Sequence, residues 1–328
     1  MHYLLRVLIQ GLVCILTTGG VTLFGAAAQT DTYPNKPITF IVPFGAGSTT
    51  GIISRIVAQH LGAALGQTIV VEDKPGANGA IAASYVARAA PDGYTVFMST
   101  NSPHSAAPSL NKSVPYDPVK DFMPVTRIGS FTLILALNPE IPAKSIPELI
   151  AYAKANPGKM TFASGNTSGV VAGETFKAWA GINLVHVPYR SSPPAVNDVI
   201  AGRVSMMFTD LTSSLPHVQA GKLRALAVTR LQRSTLVPDL PTLDEAGVKG
   251  FDMDSWMAMF VPAKTPPAIV ARLNTETRKI IDNPEIKARI GALGFEAFSS
   301  TSGELGEFVK VQLVKWTKMI RDAGIEPE

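Results

Sequence analysis

Apolar residues along this chain fall into short runs separated by longer amphipathic stretches. The runs 38–44, 68–71, 94–98, 132–137, 160–163, 184–187, 204–208, 223–228 and 257–261 are rich in Val, Ile, Leu and Phe and do not alternate with polar residues. That pattern predicts strands covered on both faces, as in parallel sheets flanked by helices. Between them, 52–65 places Ile52, Ile56, Leu61 and Leu65 near helical spacing. A helix over 146–155 is predicted after Ser145 as N-cap, with Pro147 and Glu148 in its first turn and Asn156-Pro157-Gly158 ending it. The segments 80–90, 194–201, 267–282 and 304–323 read the same way. Strand–helix alternation of this kind predicts an α/β fold.

The N-terminus departs from that pattern. Arg6 is followed by an almost uncharged run over 7–24 and then by Ala26-Ala27-Ala28, as in a secretory signal peptide cleaved before Gln29. A retained anchor fits less well, because the run is short and carries Gly19 and Gly20. A lipoprotein signal would use Cys14, which lies mid-run with Gly11 where a leucine is wanted. Residues 1–28 are therefore read as a signal peptide, and the mature protein as periplasmic.

About 300 residues remain, more than one core usually serves, so two lobes are expected. The segments 115–126 and 236–255 are irregular, and each precedes a strand, so they are read as crossings. Lobe one is expected to comprise 29–130 and 256–328, and lobe two 131–255. Cys14 is the sole cysteine of the 328 residues, so a mature chain without it has no disulfide, thiolate nucleophile or cysteine metal ligand. Removing Arg6 leaves 28 basic residues against 25 acidic ones, with no Lys/Arg cluster, and nucleic acid is not expected as a partner.

Five strand ends lead into short loops rich in Gly, Ser and Thr: Gly45–Gly51, Ser99–Ser105, Ser164–Gly169, Pro188–Ser192 and Thr209–Ser214. Ligands of open α/β sheets bind beyond such ends, where helix starts offer unpaired N–H groups. Loops of this kind from two lobes would form a neutral, donor-rich cleft for an anion. Any single loop could equally be an ordinary cap or turn.

Other chemistries fit poorly. Gly45, Gly47 and Gly51, followed by Glu72 and Asp73, approach a dinucleotide fingerprint, but the glycine spacing is one residue too long. No cofactor is expected. His60, His104, His186 and His217 show no metal-pair spacing. Gly165–Gly169 resembles a nucleophile elbow with Thr167 in place of serine. His104 could touch a ligand or hold a turn, Arg190 could meet a carboxylate or water, and Trp256 could wall the cleft or pack between lobes. Asp210 would repel an anion and is assigned to positioning loops or water.

Several stretches carry a resemblance: Tyr33-Pro34, Ile41-Val42-Pro43-Phe44, the run from Val71 to Gly79, the run from Ala87 to Tyr94, the run from Pro115 to Phe122, His186-Val187-Pro188-Tyr189, Leu215-Pro216-His217 and the run from Gly221 to Val228. With them the chain resembles the Bug-type solute-binding proteins of tripartite tricarboxylate transporters. The resemblance implies a two-lobed, type II-like periplasmic binding protein, each lobe a mostly parallel sheet flanked by helices and joined by two crossover strands. The lobes would close on a small carboxylate like a Venus flytrap. It implies no catalysis and no metal, a monomer, and delivery of ligand to the membrane permease subunits. The positions matching the family's binding loops are Phe44, Gly47, Ser48 and Thr49; Ser99, Thr100 and Asn101; Ser164, Asn166 and Thr167; Tyr189, Arg190 and Ser192; and Thr209 and Asp210. The chain departs from the family at Ser48, where relatives have glycine, at Gly51, where they have aspartate, and at Thr209, also commonly aspartate. Losing acidic groups there favours an anionic ligand over an ammonium. Di- and tricarboxylates and aromatic carboxylates such as terephthalate-like diacids are the expected ligands. A sensory subunit and an exported hydrolase are the alternatives.

Overall fold

The computed structural model describes residues 33–327, so the expected signal peptide lies outside the described residues. In chain order the elements are β1 (Ile38–Val42), α1 (Thr49–Leu65), β2 (Ile69–Asp73), α2 (Ala80–Ala87), β3 (Thr95–Thr100), a π-helical turn (Ser102–Ala106) and α3 (Ala107–Leu110). Then come β4 (Phe122–Phe131), β5 (Leu133–Leu137), α4 (Ile146–Ala155), β6 (Met160–Ser164), α5 (Thr167–Ala180), β7 (Leu184–Pro188), α6 (Ser192–Ile200), β8 (Met206–Asp210) and α7 (Leu211–Gln219). The chain ends with β9 (Arg224–Val228), β10 (Ser255–Pro262), α8 (Pro267–Ile281), α9 (Pro284–Gly291), β11 (Phe295–Ala297) and α10 (Ser302–Asp322).

These strands form two sheets, in the orders β2-β1-β3-β10-β4-β11 and β7-β6-β8-β5-β9. In the first sheet β10 runs antiparallel to both β3 and β4, so β1, β2, β3 and β4 share one direction. In the second, β5 runs against β8 and β9, and the other four strands run together. Each sheet is thus mostly parallel in direction, with β10 and the edge strand β11 reversed in the first and β5 reversed in the second. The continuous apolar runs have the expected cause: all five residues of β5 and all eight of β10 are buried.

The helices begin where local chemistry favours it. Ser48, Ser145 and Asn166 accept first-turn amides of α1, α4 and α5, and Thr301 and Glu304 cap each other reciprocally at α10. Gly66 ends α1 in the left-handed region at φ 69°.

The structure differs from the sequence reading at the first crossing. Residues 122–126, read as irregular, lie inside the ten-residue β4, and the chain changes sheet across Thr132 alone. Pro124, Arg127 and Gly129 hide this strand in the sequence, and its pairing with β10 contains two register shifts of the kind bulges make. A Cβ at Gly129 would stand 2.1 Å from the Glu296 carbonyl oxygen of β11, so only glycine fits. β11, three residues long, also escaped the apolar pattern.

Helix α10 reaches further than expected. Leu305 and Val309 pack in the core of the first sheet, whereas Trp316 and Ile320 pack with Phe176, Leu243 and Phe251 in the core of the second.

Candidate functional site

The sheets present the carboxyl ends of β1, β3, β6 and β8 toward one another, and a narrow hollow of about 20 Å³ lies between them. From the first sheet's side it is lined by Phe44, Ser48, Thr49, Thr50, Thr100, Ser102, Phe131 and Ser255, and from the second by Leu133, Gly165, Asn166, Ser192 and Asp210. Four helices, α1, α5, α6 and α7, contribute a cap or first residue to this wall. Ser48, Asn166 and Asp210 cap their own helices through the amides of Gly51, Gly169 and Ser213. The amides of Thr49 and Thr50 in α1, and of Thr167 and Ser168 in α5, make no hydrogen bond within the described residues. Helix α6 starts differently: its N-cap Ser191 caps nothing, and Pro193 in its first turn supplies no N–H.

The two sides touch. Thr49 donates its hydroxyl to Asp210 Oδ1 across the cleft. The Asn101 amide donates to Ser168 Oγ at 2.9 Å, Ser168 bonds Ser255 at 3.2 Å, and Ser255 closes the ring to Asn101 Oδ1. The Ser102 hydroxyl is wholly buried in the wall of the hollow and has no partner among the described residues. Among the described residues no Lys or Arg lines the hollow, and Asp210 is the one ionisable residue of its lining.

Of the fifteen residues expected from sequence, Phe44, Ser48, Thr49, Thr100, Asn166, Ser192 and Asp210 line this hollow. Asn101 lies beneath it in the bridging ring. Gly47 takes φ 78° in the turn before α1, with Pro193 opposite. Ser164, Tyr189 and Arg190 line a wider outer region with Asn78 and His186 rather than the hollow. Ser99 is turned to His104 Nδ1 at 2.7 Å, Thr209 to Ser213, and Thr167 is buried with an unpartnered hydroxyl. Sequence reasoning passed over Thr50, Ser102, Phe131, Leu133, Gly165 and Ser255. Ser102 and Gly165 stood inside the loops singled out, and Ser255 beside Trp256, so strand-end position alone could have found them.

Three open readings resolve. Asp210, assigned to positioning loops or water, is both the last residue of β8 and the N-cap of α7, and it accepts the Thr49 hydroxyl across the cleft. His104 does not reach the cleft. It is buried in the π-helical turn, stacked on Phe260 at 3.9 Å, and burial lowers its pKa to about 3. Trp256 is fully buried against His104 and Phe308. A serine–histidine pair does exist, Ser164 Oγ to His186 Nε2 at 2.6 Å, with the imidazole stacked on Phe162. Ser164 is 2% exposed and lies outside the lining of the hollow, so the pair fixes the end of β6 to β7.

The family model described as the tripartite tricarboxylate transporter family receptor matches residues 53–325. Protein BugT of Bordetella pertussis is 34% identical over 313 residues, covering 94% of this chain and 95% of BugT. The structure of R. palustris Rpa4515 with adipate is similar at TM-score 0.88 and 32% identity, covering 90% of this chain and 100% of that one. The structure of MatC from Rhodopseudomonas palustris with bound malate is similar at TM-score 0.83 and 28% identity, covering 88% and 100%.

Proposed function

Because the chain belongs to the tripartite tricarboxylate transporter receptor family, we propose that it captures a small carboxylate between two lobes in the periplasm and presents the closed form to membrane permease subunits. The lobes are 29–130 with 256–328, and 131–255. Each sheet draws its strands from one of these groups to within a residue or two at the crossings. The observation that carries the reading is the hollow itself. Unbonded amides at the starts of α1 and α5, with hydroxyls from both sides, converge where no lysine or arginine stands. Such donors satisfy a carboxylate and act with the helix dipoles. Adipate and malate, bound in the two similar structures, belong to the same chemical class.

Ligand contacts from both lobes favour the closed arrangement, because only differential contact shifts such an equilibrium. The inner contacts are Ser48, Thr49, Thr100, Asn166 and Ser192, with Phe44 and Phe131 as apolar walls. Arg190 and Tyr189 stand at the outer cleft, where a cation draws anions inward. The cycle needs no covalent step and no cofactor. Affinity on the order of micromolar corresponds to about −8 kcal/mol.

Calorimetry and thermal shift against a panel of carboxylates, neutral sugars and amines test this. Stabilisation by carboxylates, lost in Asn166→Leu, is expected. Stabilisation by sugars or amines alone would overturn the reading.

A further inference from the structure

The Asp210 carboxylate, set in a hollow otherwise built for an anion, calls for a function of its own. Its Oδ1 is fully engaged, accepting the Thr49 hydroxyl, the Ser213 amide at 3.0 Å and the Ser213 hydroxyl at 3.1 Å. Its Oδ2 accepts no hydrogen bond from the described residues, and no lysine or arginine of those residues pairs with it. Asp210 is 5% exposed and lines the hollow. Asp210 Oδ2 is therefore left open toward the hollow, where a second anion is repelled and a hydrogen-bond donor is favoured. The Ser102 hydroxyl, wholly buried in the same wall, has no partner among the described residues.

From this juxtaposition we infer that Asp210 selects the ligand: the solute carries a carboxylate at one end and a hydrogen-bond donor, a hydroxyl or ammonium, on the part that meets Asp210 Oδ2. The inference rests on the carboxylate-binding reading above and narrows it. The amides of Thr167 and Ser168, unbonded at the start of α5, hold the carboxylate end. The donor end completes the fourth interaction of the Asp210 carboxylate. A plain diacid would set a second anionic end against Asp210 and is disfavoured. This selection differs from a general preference for anions, because it distinguishes acids of equal charge and nearly equal size.

The test uses the mature chain and matched ligand pairs, each acid offered with its hydroxylated and its aminated counterpart: succinate with malate and aspartate, propionate with lactate and alanine. Titration calorimetry is run on the parent protein and on Asp210→Asn. Asparagine keeps an oxygen for Thr49 and for the α7 amides, so folding and the cross-cleft contact persist. The expected result is that the donor-bearing member binds the parent at least about tenfold more tightly than its plain partner, the size of a hydrogen bond to a charged group. In Asp210→Asn the gap falls below about threefold and the plain acid gains. Equal binding of plain and donor-bearing acids by the parent overturns the selection while leaving carboxylate binding standing. An unchanged gap in the variant assigns the selection elsewhere and overturns the role of Asp210. Failure of every acid to bind, with neutral solutes binding instead, sinks the carboxylate reading itself.

Discussion

At Thr49 the hydroxyl bridges the cleft to Asp210, and both groups are almost wholly buried. Thr49→Asp would set two carboxylates face to face at the start of α1, where the cleft must close. We expect carboxylate affinity to fall at least tenfold by calorimetry, since like charges in a desolvated site repel strongly. Unchanged or tighter binding would contradict the contact's role in closing. A second residue effect lies under the cleft floor. His104 stays neutral in the fold because burial among Phe97, Phe122 and Phe260 lowers its pKa to about 3, whereas the unfolded chain titrates near the ordinary 6.5. Below pH 6.5 the unfolded state therefore binds the extra proton, and stability falls as pH drops from 6.5 toward 3. At pH 5 the loss is about 2 kcal/mol relative to neutral pH. Urea melts across this range should show a steeper pH dependence for the parent than for His104→Gln; parallel profiles would count against it.

At the scale of elements, the start of α6 sits hard against the loop entering α5. A Cβ on Gly165 would come within 2.3 Å of the Ser192 amide nitrogen and 2.4 Å of the Ser191 carbonyl carbon, both backbone atoms with little room to yield. Gly165→Ala should push α6 from the hollow, costing about 1–3 kcal/mol in stability and, because Ser192 and Asn166 separate, lowering ligand affinity at least about tenfold, as calorimetry would show. Much of this arrangement was legible in the chain. Buried strands announced themselves as unbroken apolar runs, and the Ser, Thr and Gly clusters after them marked the cleft wall. What was not legible was contact between distant loops: Thr49 and Asp210 lie 161 residues apart, and no local pattern pairs them. The same limit let the first half of β4 pass as irregular, because Pro124 and Gly129 are strand-breaking locally and tolerated by bulged pairing with β10. Asp210 was legible as a cleft residue that positions loops, but not its partner, because the Thr49 hydroxyl it accepts comes from the other sheet.

At the scale of the whole molecule, α10 ties the two cores together. Its first half buries Leu305 and Val309 on the first sheet, and its second half buries Trp316 and Ile320 among second-sheet residues. A 21-residue α-helix is stiff, so it acts as a strut rather than a tether. Opening of the cleft must then be accommodated at the two crossings, with the far end of α10 resisting a wide excursion. Trp316 is the anchor that makes this so, being 1% exposed within the second core. Trp316→Ala leaves a large cavity there and should cost about 3–5 kcal/mol. For a chain of this size that is a fall in Tm of several degrees or more. Because the strut is loosened at one end only, the second core should melt first, splitting a single calorimetric transition into two, and small-angle scattering of the ligand-free variant should give a larger radius of gyration than the parent. A variant that melts as one unit within a degree of the parent would show that the second half of α10 is peripheral and that the crossings alone govern the hinge.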